Sequence, residues 1–270
     1  GVWFARGGTG KLIAGMVALF ERIGGTLRLG DPVAAIDMVG DRATGVRCKS
    51  GWSAQADAVA SNADLMHSYR DLLSGHLRGT RQAVSLTQKK WSPSLFVLHF
   101  GIKGTWPGIP HHMILFGPRY KGLLTDLYQH GVLPQDFSLY LHHPSVTDPG
   151  MAPEGCSTFY ALAPVPHMGK LPIDWEQMGP VFAERILDEV ERRLIPDLRG
   201  RIMTQFHYAP PDFVHDLNAH MGSAFSLEPL LTQSAWFRAH NRDDVISNLY
   251  FVGAGTHPGA GIPGVVGSAK

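Results

Sequence analysis

The chain has 270 residues, and 24 Lys and Arg against 23 Asp and Glu leave a formal charge of +1. That balance excludes the strongly basic profile of a nucleic-acid binder and the acidic profile of a disordered, solvating chain. Hydrophobic residues at 44% supply a globular core, while charged residues at 17% fall short of an average soluble domain.

Taken in chain order, residues 10–23 place Leu12, Ile13, Met16, Leu19, Phe20 and Ile23 at helical spacings of three and four. Gly24-Gly25 stops that helix, because glycine tolerates the left-handed terminal conformation. Short strands are predicted at 26–29, 33–38 and 43–49, separated by Gly30-Asp31-Pro32 and Gly40-Asp41-Arg42. A buried strand at 56–60 then runs into Ser61-Asn62-Ala63-Asp64. Helix, hairpin and returning strand together read as the second half of a nucleotide-binding α/β domain.

Helices follow at 65–73 and 78–89, then strands at 94–101, 113–116, 138–143 and 157–165. With few crossover helices between them, these strands point to a largely antiparallel sheet. The clearest helix covers 174–194, with an apolar stripe of Phe182, Ile186 and Val190. Asp188 with Arg192 and Glu189 with Arg193 pair at i,i+4, and Pro196 closes the helix. A loop-rich region leads to a last strand at 248–252 and the start of a helix. No run of apolar residues is long enough for a transmembrane helix. The expected fold class is mixed α/β (α+β): segments 1–64 and 236–270 form part of a Rossmann-like domain, and 65–235 a second domain of antiparallel sheet with covering helices. Gly1 is not an initiator Met and residues 265–270 read as the first turns of a cut helix, so the chain is expected to be a piece of a longer protein.

The strongest chemical signal lies at the last strand, where Asn248-Leu249-Tyr250-Phe251-Val252 runs into Gly253-Ala254-Gly255-Thr256-His257-Pro258-Gly259-Ala260-Gly261-Ile262-Pro263-Gly264. Residues without side chains let backbone N–H groups approach a ligand closely, and a helix opening there favours a phosphate or an electron-rich ring oxygen. A tight loop with no ligand is the plain alternative. The string Gly259 to Gly264 matches GxGxxG, but the ribose-binding acid expected about 20 residues later would fall beyond Lys270. Gly7-Gly8-Thr9-Gly10-Lys11-Leu12 is not a phosphate loop, since Ala5 and Leu12 occupy positions that require Gly and Ser/Thr. It reads as a glycine-rich opening to the first helix.

Histidine is abundant at 14, yet no metal site is expected. In the adjacent pairs His111-His112 and His142-His143 the two rings should point to opposite faces of a strand, and His215 and His220 miss the i,i+4 spacing of a helical pair. Cys48 and Cys156 are too few for a disulfide framework, which makes a reducing compartment the default. No Gly-x-Ser-x-Gly elbow offers a nucleophile. Asp148 and Glu154 sit among prolines and glycines as turn formers. Leu- and aromatic-rich stretches at 120–133 and 225–237 fit ordinary core packing, a hydrophobic tunnel or a membrane-facing surface.

Several separated segments resemble the bacterial-type phytoene desaturases, flavoproteins of carotenoid synthesis. The run from Asn248 to Gly264 is similar to that family's carboxy-terminal flavin signature. Further matching blocks are Ser61-Asn62-Ala63-Asp64, Pro144-Ser145-Val146-Thr147-Asp148-Pro149, Met151-Ala152-Pro153-Glu154-Gly155-Cys156 and Leu162-Ala163-Pro164-Val165-Pro166-His167. Gly222-Ser223-Ala224-Phe225 and Gln233-Ser234-Ala235-Trp236-Phe237-Arg238 complete the series, in the family's order. Members begin with a strand and a GxGxxG turn that cradles the FAD pyrophosphate, and that half has no counterpart here.

The resemblance implies FAD as cofactor, with Gly253, Ala254, Gly255, Thr256, Gly259, Gly261, Ile262, Pro263 and Val265 along the ribityl chain and ring, and Val33 in backbone contact with adenine. It implies dehydrogenation of phytoene and carotenoid intermediates towards neurosporene or lycopene, by hydride transfer to flavin, with a quinone or oxygen as electron acceptor. Which catalytic residue takes the proton is unknown; His257 beside Pro258 is expected to be an ordered turn residue. The greasy substrate implies peripheral, monotopic attachment to the cytoplasmic side of a membrane surface, with the substrate's way in among residues 65–235. The alternatives are a sister carotenoid-modifying flavoprotein, an isomerase or ketolase, and a non-catalytic carotenoid- or lipid-binding module. The fragment alone is expected to bind FAD weakly and to be inactive.

Overall fold

A computed structural model describes residues 3–270 and divides them into two compact units. One takes in the segment ending at Arg28, Leu95–Pro166 and Leu171–Ala209. The other takes in Leu29–Ser94, His167–Lys170 and Pro210–Lys270.

The first unit is built on a five-stranded sheet in the order His112–Leu115, Leu139–His142, Cys156–Val165, Ser94–Lys103, Ile202–Tyr208. Along Cys156–Val165 buried and half-buried positions alternate without a break, the period of a strand with one face in a core. Phe96, Leu98, Phe100 and Ile102 of one central strand and Phe159, Ala161, Ala163 and Val165 of the other supply the buried face. The helix Trp175–Arg193 covers it, with Phe182, Ile186 and Val190 fully buried as its spacing predicts. Asp174 starts that helix by accepting from the N–H groups of Glu176 at 3.0 Å and Gln177 at 3.3 Å, a cap worth about 1 kcal/mol.

Three expectations fail here for physical reasons. Asp188 pairs with Arg199 at 2.6 Å rather than with Arg192, because the Arg199 fork also reaches Glu184 and Glu191. Arg192 turns instead to Glu189 at i,i+3. Residues 202–208, predicted as loop, form an edge strand on Val97–Ile102, and their mostly exposed side chains leave no alternating pattern to read. Residues 26–29, predicted as a strand, form none. Gly7 and Gly8 open the first helix, Thr9–Arg22, at φ of +81°, and the Gly7 N–H donates to Asp148 at 2.7 Å. That amide therefore serves a turn and not a phosphate.

The second unit carries the hairpin Val33–Val39 and Arg42–Cys48, with Ser53–Gln55 as a third antiparallel strand. Beside it, Leu249–Phe251 pairs in parallel with Val59–Ser61. Buried Asn248 ties the two together: its Oδ1 accepts from Ala43 N–H at 2.9 Å, and its Nδ2 donates to the carbonyls of Ala43 and Asp57 at 2.7 Å. The core is Ile36, Leu65, Met66, Tyr69, Leu72, Leu73, Leu249 and Phe251.

These units cut the chain elsewhere than the expected segments 1–64, 65–235 and 236–270. Residues 65–94 and 210–235 belong with the Rossmann-like unit, because the side chains after Asp64 share its core. The helix Thr9–Arg22 belongs with the antiparallel sheet and buries none of its residues; Leu12, Ile13, Met16, Leu19, Phe20 and Ile23 are all exposed. Residues 1 and 2 of the first expected segment lie outside the described residues. Cys48 and Cys156 form no disulfide.

Candidate functional site

Two parallel strands deliver their following loops to the same end of a sheet, the usual place for a ligand in an open α/β fold. After Val59–Ser61 comes Asn62-Ala63-Asp64; after Leu249–Phe251 comes Val252 and the glycine-dense loop. The loops are laced together: Val252 N–H donates to Ser61 O at 3.0 Å, and Asn62 Nδ2 donates to Val252 O at 3.0 Å. Asp64 caps the short helix Leu65–His67 through the N–H groups of Met66 at 2.8 Å and His67 at 3.3 Å. Burial pushes its carboxyl above the ordinary aspartate value, against the pull of those amides.

Between the loops lies a cavity of about 290 Å³. Asn62, Ala63 and Asp64 form one wall, and Val252, Ala254, Gly255 and Val265 another. Phe213, Leu217 and Ala219 make an apolar side, and Ser223, Ala224 and Ser226 close the lining. Glycine is required at one point of the loop, and a second leaves little room for a side chain. Gly253 sits at φ +103°, and a side chain there would run into the Asn62 amide; a Cβ on Gly255 would come within 3.0 Å of Leu65 and 3.1 Å of Ser226 Oγ.

The loop is fixed from behind. Gly253 N–H donates to Ser268 Oγ at 2.7 Å, and that hydroxyl donates to Val265 O at 2.6 Å. Buried Arg238 donates from Nε and Nη2 to Ala254 O at 2.9 and 2.6 Å, and from Nη2 to Phe225 O at 2.7 Å. Burial lowers its pKa from the usual guanidinium value.

The residues predicted from sequence divide into three groups, with Val33 apart. Ala254, Gly255 and Val265 line the cavity. Gly253, Thr256 and Gly259 are buried in the loop, with Thr256 Oγ1 donating to Gly253 O at 3.1 Å. Gly261, Ile262 and Pro263 are exposed at the start of the helix Ile262–Gly267. Val33, at the exposed end of the hairpin opposite Cys48, is absent from the lining. His257 is held as a turn residue, its N–H on Ala239 O and its Nδ1 2.9 Å from Ala235 O.

Sequence reasoning did not name Asn62, Asp64, Ser223, Ser226 or Arg238 as site residues, although all but Ser226 fall in blocks that match the resembled family. Phe213 and Leu217 come from the helix Pro210–Leu217 and had no signal. The cavity suits a flat heteroaromatic ring with a polar edge. The chain's own backbone approaches where glycine removes the Cβ, and the buried hydroxyls of Ser223 and Ser226 have no hydrogen-bond partner in the protein.

The other unit gathers histidines. His112 is the cross-strand partner of His142, so their rings share a face of the sheet. The predicted divergence of His111 from His112 does not occur: their ring centroids are 4.4 Å apart, because His111 precedes the strand and escapes its alternation. His143 does turn away, its Nδ1 3.0 Å from Ile109 O.

The sequence pattern of the family described as "Flavin containing amine oxidoreductase" matches residues 1–270. A lycopene-forming phytoene desaturase of Paracoccus sp. (strain N81106 / MBIC 01143) is 61% identical over 270 residues, all of this chain and 54% of that protein. A neurosporene-forming phytoene desaturase of Cereibacter sphaeroides is 44% identical over 274 residues, covering 53% of its length. The chain thus spans about half the length of the curated relatives it matches. Among solved structures, an oxidoreductase from Methanosarcina mazei shares the fold with a TM-score of 0.67 at 17% identity, over 96% of this chain and 52% of that one. With this pattern along its whole length and a glycine loop closing a cavity at the end of a parallel strand pair, the chain belongs to the flavin containing amine oxidoreductase family.

Proposed function

We propose that the protein carrying this chain is an FAD-dependent desaturase that converts phytoene into more conjugated carotenoids, neurosporene or lycopene. The observation that carries this reading is 61% identity, over all 270 residues of this chain, to a relative named for that reaction. FAD, when bound, supplies the hydride acceptor that no protein side chain can provide. The chain's own part is positioning. Gly253 and Gly255 let the backbone approach the ring, and the Ser223 and Ser226 hydroxyls offer hydrogen bonds at its edge. Phe213, Leu217 and Val265 keep water from that side of the cavity. A hydrocarbon must be held with reacting atoms roughly 3–3.5 Å apart for such a transfer.

Exposing a substrate of about forty carbons to water would cost on the order of 30 kcal/mol at about 0.8 kcal/mol per CH₂. The proposal therefore includes peripheral attachment at the cytoplasmic face of a membrane and a quinone or oxygen as final electron acceptor. Among the described residues no helix is long and apolar enough to cross a membrane. The exposed apolar stripe of Thr9–Arg22 supports an attachment that lies on the surface. Full-length protein with phytoene-loaded vesicles should yield pigments absorbing at longer wavelength. Unchanged absorption with intact flavin would replace this reading with an isomerase. In vesicle flotation the protein should rise with the lipid; recovery entirely in the soluble fraction would remove the membrane part.

A further inference from the structure

Three imidazoles and two hydroxyls meet at one edge of the antiparallel sheet. His111 Nε2 and His142 Nε2 are 2.9 Å apart, and each of His111, His112 and His142 offers a nitrogen within 4.8 Å of the others. Two nitrogens bound at about 2.0–2.1 Å to one tetrahedral ion stand roughly 3.3 Å apart, so an ion would part the His111 and His142 nitrogens by about 0.4 Å. The far nitrogens are also engaged in the way that orients metal ligands: His111 Nδ1 is 2.6 Å from Thr147 Oγ1, and His112 Nδ1 is 2.6 Å from Tyr140 Oη. His142 Nδ1 is buried without a partner. The ring of Phe4 lies edge-on to His111, with centroids 4.5 Å apart, and a cavity of about 430 Å³ reaches Thr147 from the solvent side.

We propose that His111, His112 and His142 bind a divalent transition-metal ion of the zinc class through three imidazole nitrogens, with the remaining positions open to water. Three neutral imidazoles without a carboxylate suit a borderline ion and disfavour magnesium or calcium, which demand oxygen ligands. The ion would bridge the strands His112–Leu115 and Leu139–His142, with Thr147 backing His111. This inference is independent of the flavin cavity and of the reaction assigned to it.

Its test uses the full-length protein, stripped with a chelator and re-equilibrated with Zn²⁺ or Co²⁺. Bound metal is counted by plasma mass spectrometry, and the Co²⁺ form is examined by visible absorption. Wild type should take up one tight equivalent with a ligand-field spectrum of low coordination number. His112→Gln and His142→Gln should lose that equivalent. Thr147→Val, which keeps all three ligands, should weaken it by about 10- to 100-fold. Circular dichroism identifies a variant that fails to fold, in which case Thr147→Val and His112→Gln carry the result. Absence of tight uptake by wild type, or uptake unchanged in those two variants, would overturn the proposal.

Discussion

The glycine-loop cavity and the histidine cluster are built by opposite means. The cavity is made of what is missing, with no side chain at Gly253 and Gly255 and two hydroxyls at Ser223 and Ser226 left without partners. The cluster is made of side chains, with rings from three positions brought together by strand register and backed by Thr147 and Tyr140. A backbone site is legible in local sequence as a glycine-dense run, although Gly7 and Gly8 show that such a run can serve a turn alone. A side-chain site depends on pairing between segments about 30 residues apart, and its parts look ordinary when read singly.

The contrast holds only if the backbone site stands on a rigid floor, and buried Asp243 supplies part of it. Its carboxylate accepts from Tyr69 Oη at 2.8 Å, Arg78 Nε at 3.0 Å and the N–H groups of Val245 and Ile246 at 2.9 and 2.8 Å, ahead of the strand that feeds the loop. Asp243→Ala would strand the Arg78 guanidinium and should lower unfolding stability by about 3–5 kcal/mol, read from urea midpoints. Gly253→Val attacks the loop itself. Its left-handed φ and the Asn62 contact should weaken flavin binding by about 100-fold, roughly 2.7 kcal/mol, in a protein whose circular dichroism is unchanged. Retained flavin would show that the loop tolerates a side chain and break the comparison.

A pH-dependent effect of comparable size rests on a histidine outside the cluster. His167 is buried, and burial together with the charges of Lys170 and His220 lowers its pKa to about 4. The unfolded chain therefore takes up a proton first as pH falls through about 6.5. Stability should be unaffected above that pH, fall by up to about 1.4 kcal/mol per unit between 6.5 and 4, and level off below. His167→Gln should flatten that limb in pH-dependent urea titrations; an unchanged slope would assign it to other groups. Smallest is Ser226→Ala. It removes an unpartnered buried hydroxyl, so the flavin-free protein should be unchanged or gain up to about 1 kcal/mol, while flavin affinity falls several-fold by fluorescence titration.

The sequence was most legible where local periodicity and burial agree. The helix expected at 174–194 is Trp175–Arg193, and the strand expected at 157–165 is Cys156–Val165, because each has one face in the same core. The edge strand Ile202–Tyr208 was illegible because exposure on both faces erases alternation. In the site, the glycine loop announced itself, yet its opposite wall of Phe213, Leu217 and Ser226 arrives from the fold. Val33 was placed by analogy alone, for contact with adenine rather than with this cavity, and no local pattern marked it. His111, just before its strand, escapes the alternation that still separates His142 from His143 at the end of the partner strand.

The most direct test is a crystal structure of the full-length protein with FAD. The account predicts the flavin ring against Ala254, Gly255 and Val265, with a polar edge within hydrogen-bonding distance of Ser223 or Ser226. A ring seated elsewhere, with that cavity filled only by water, would contradict it.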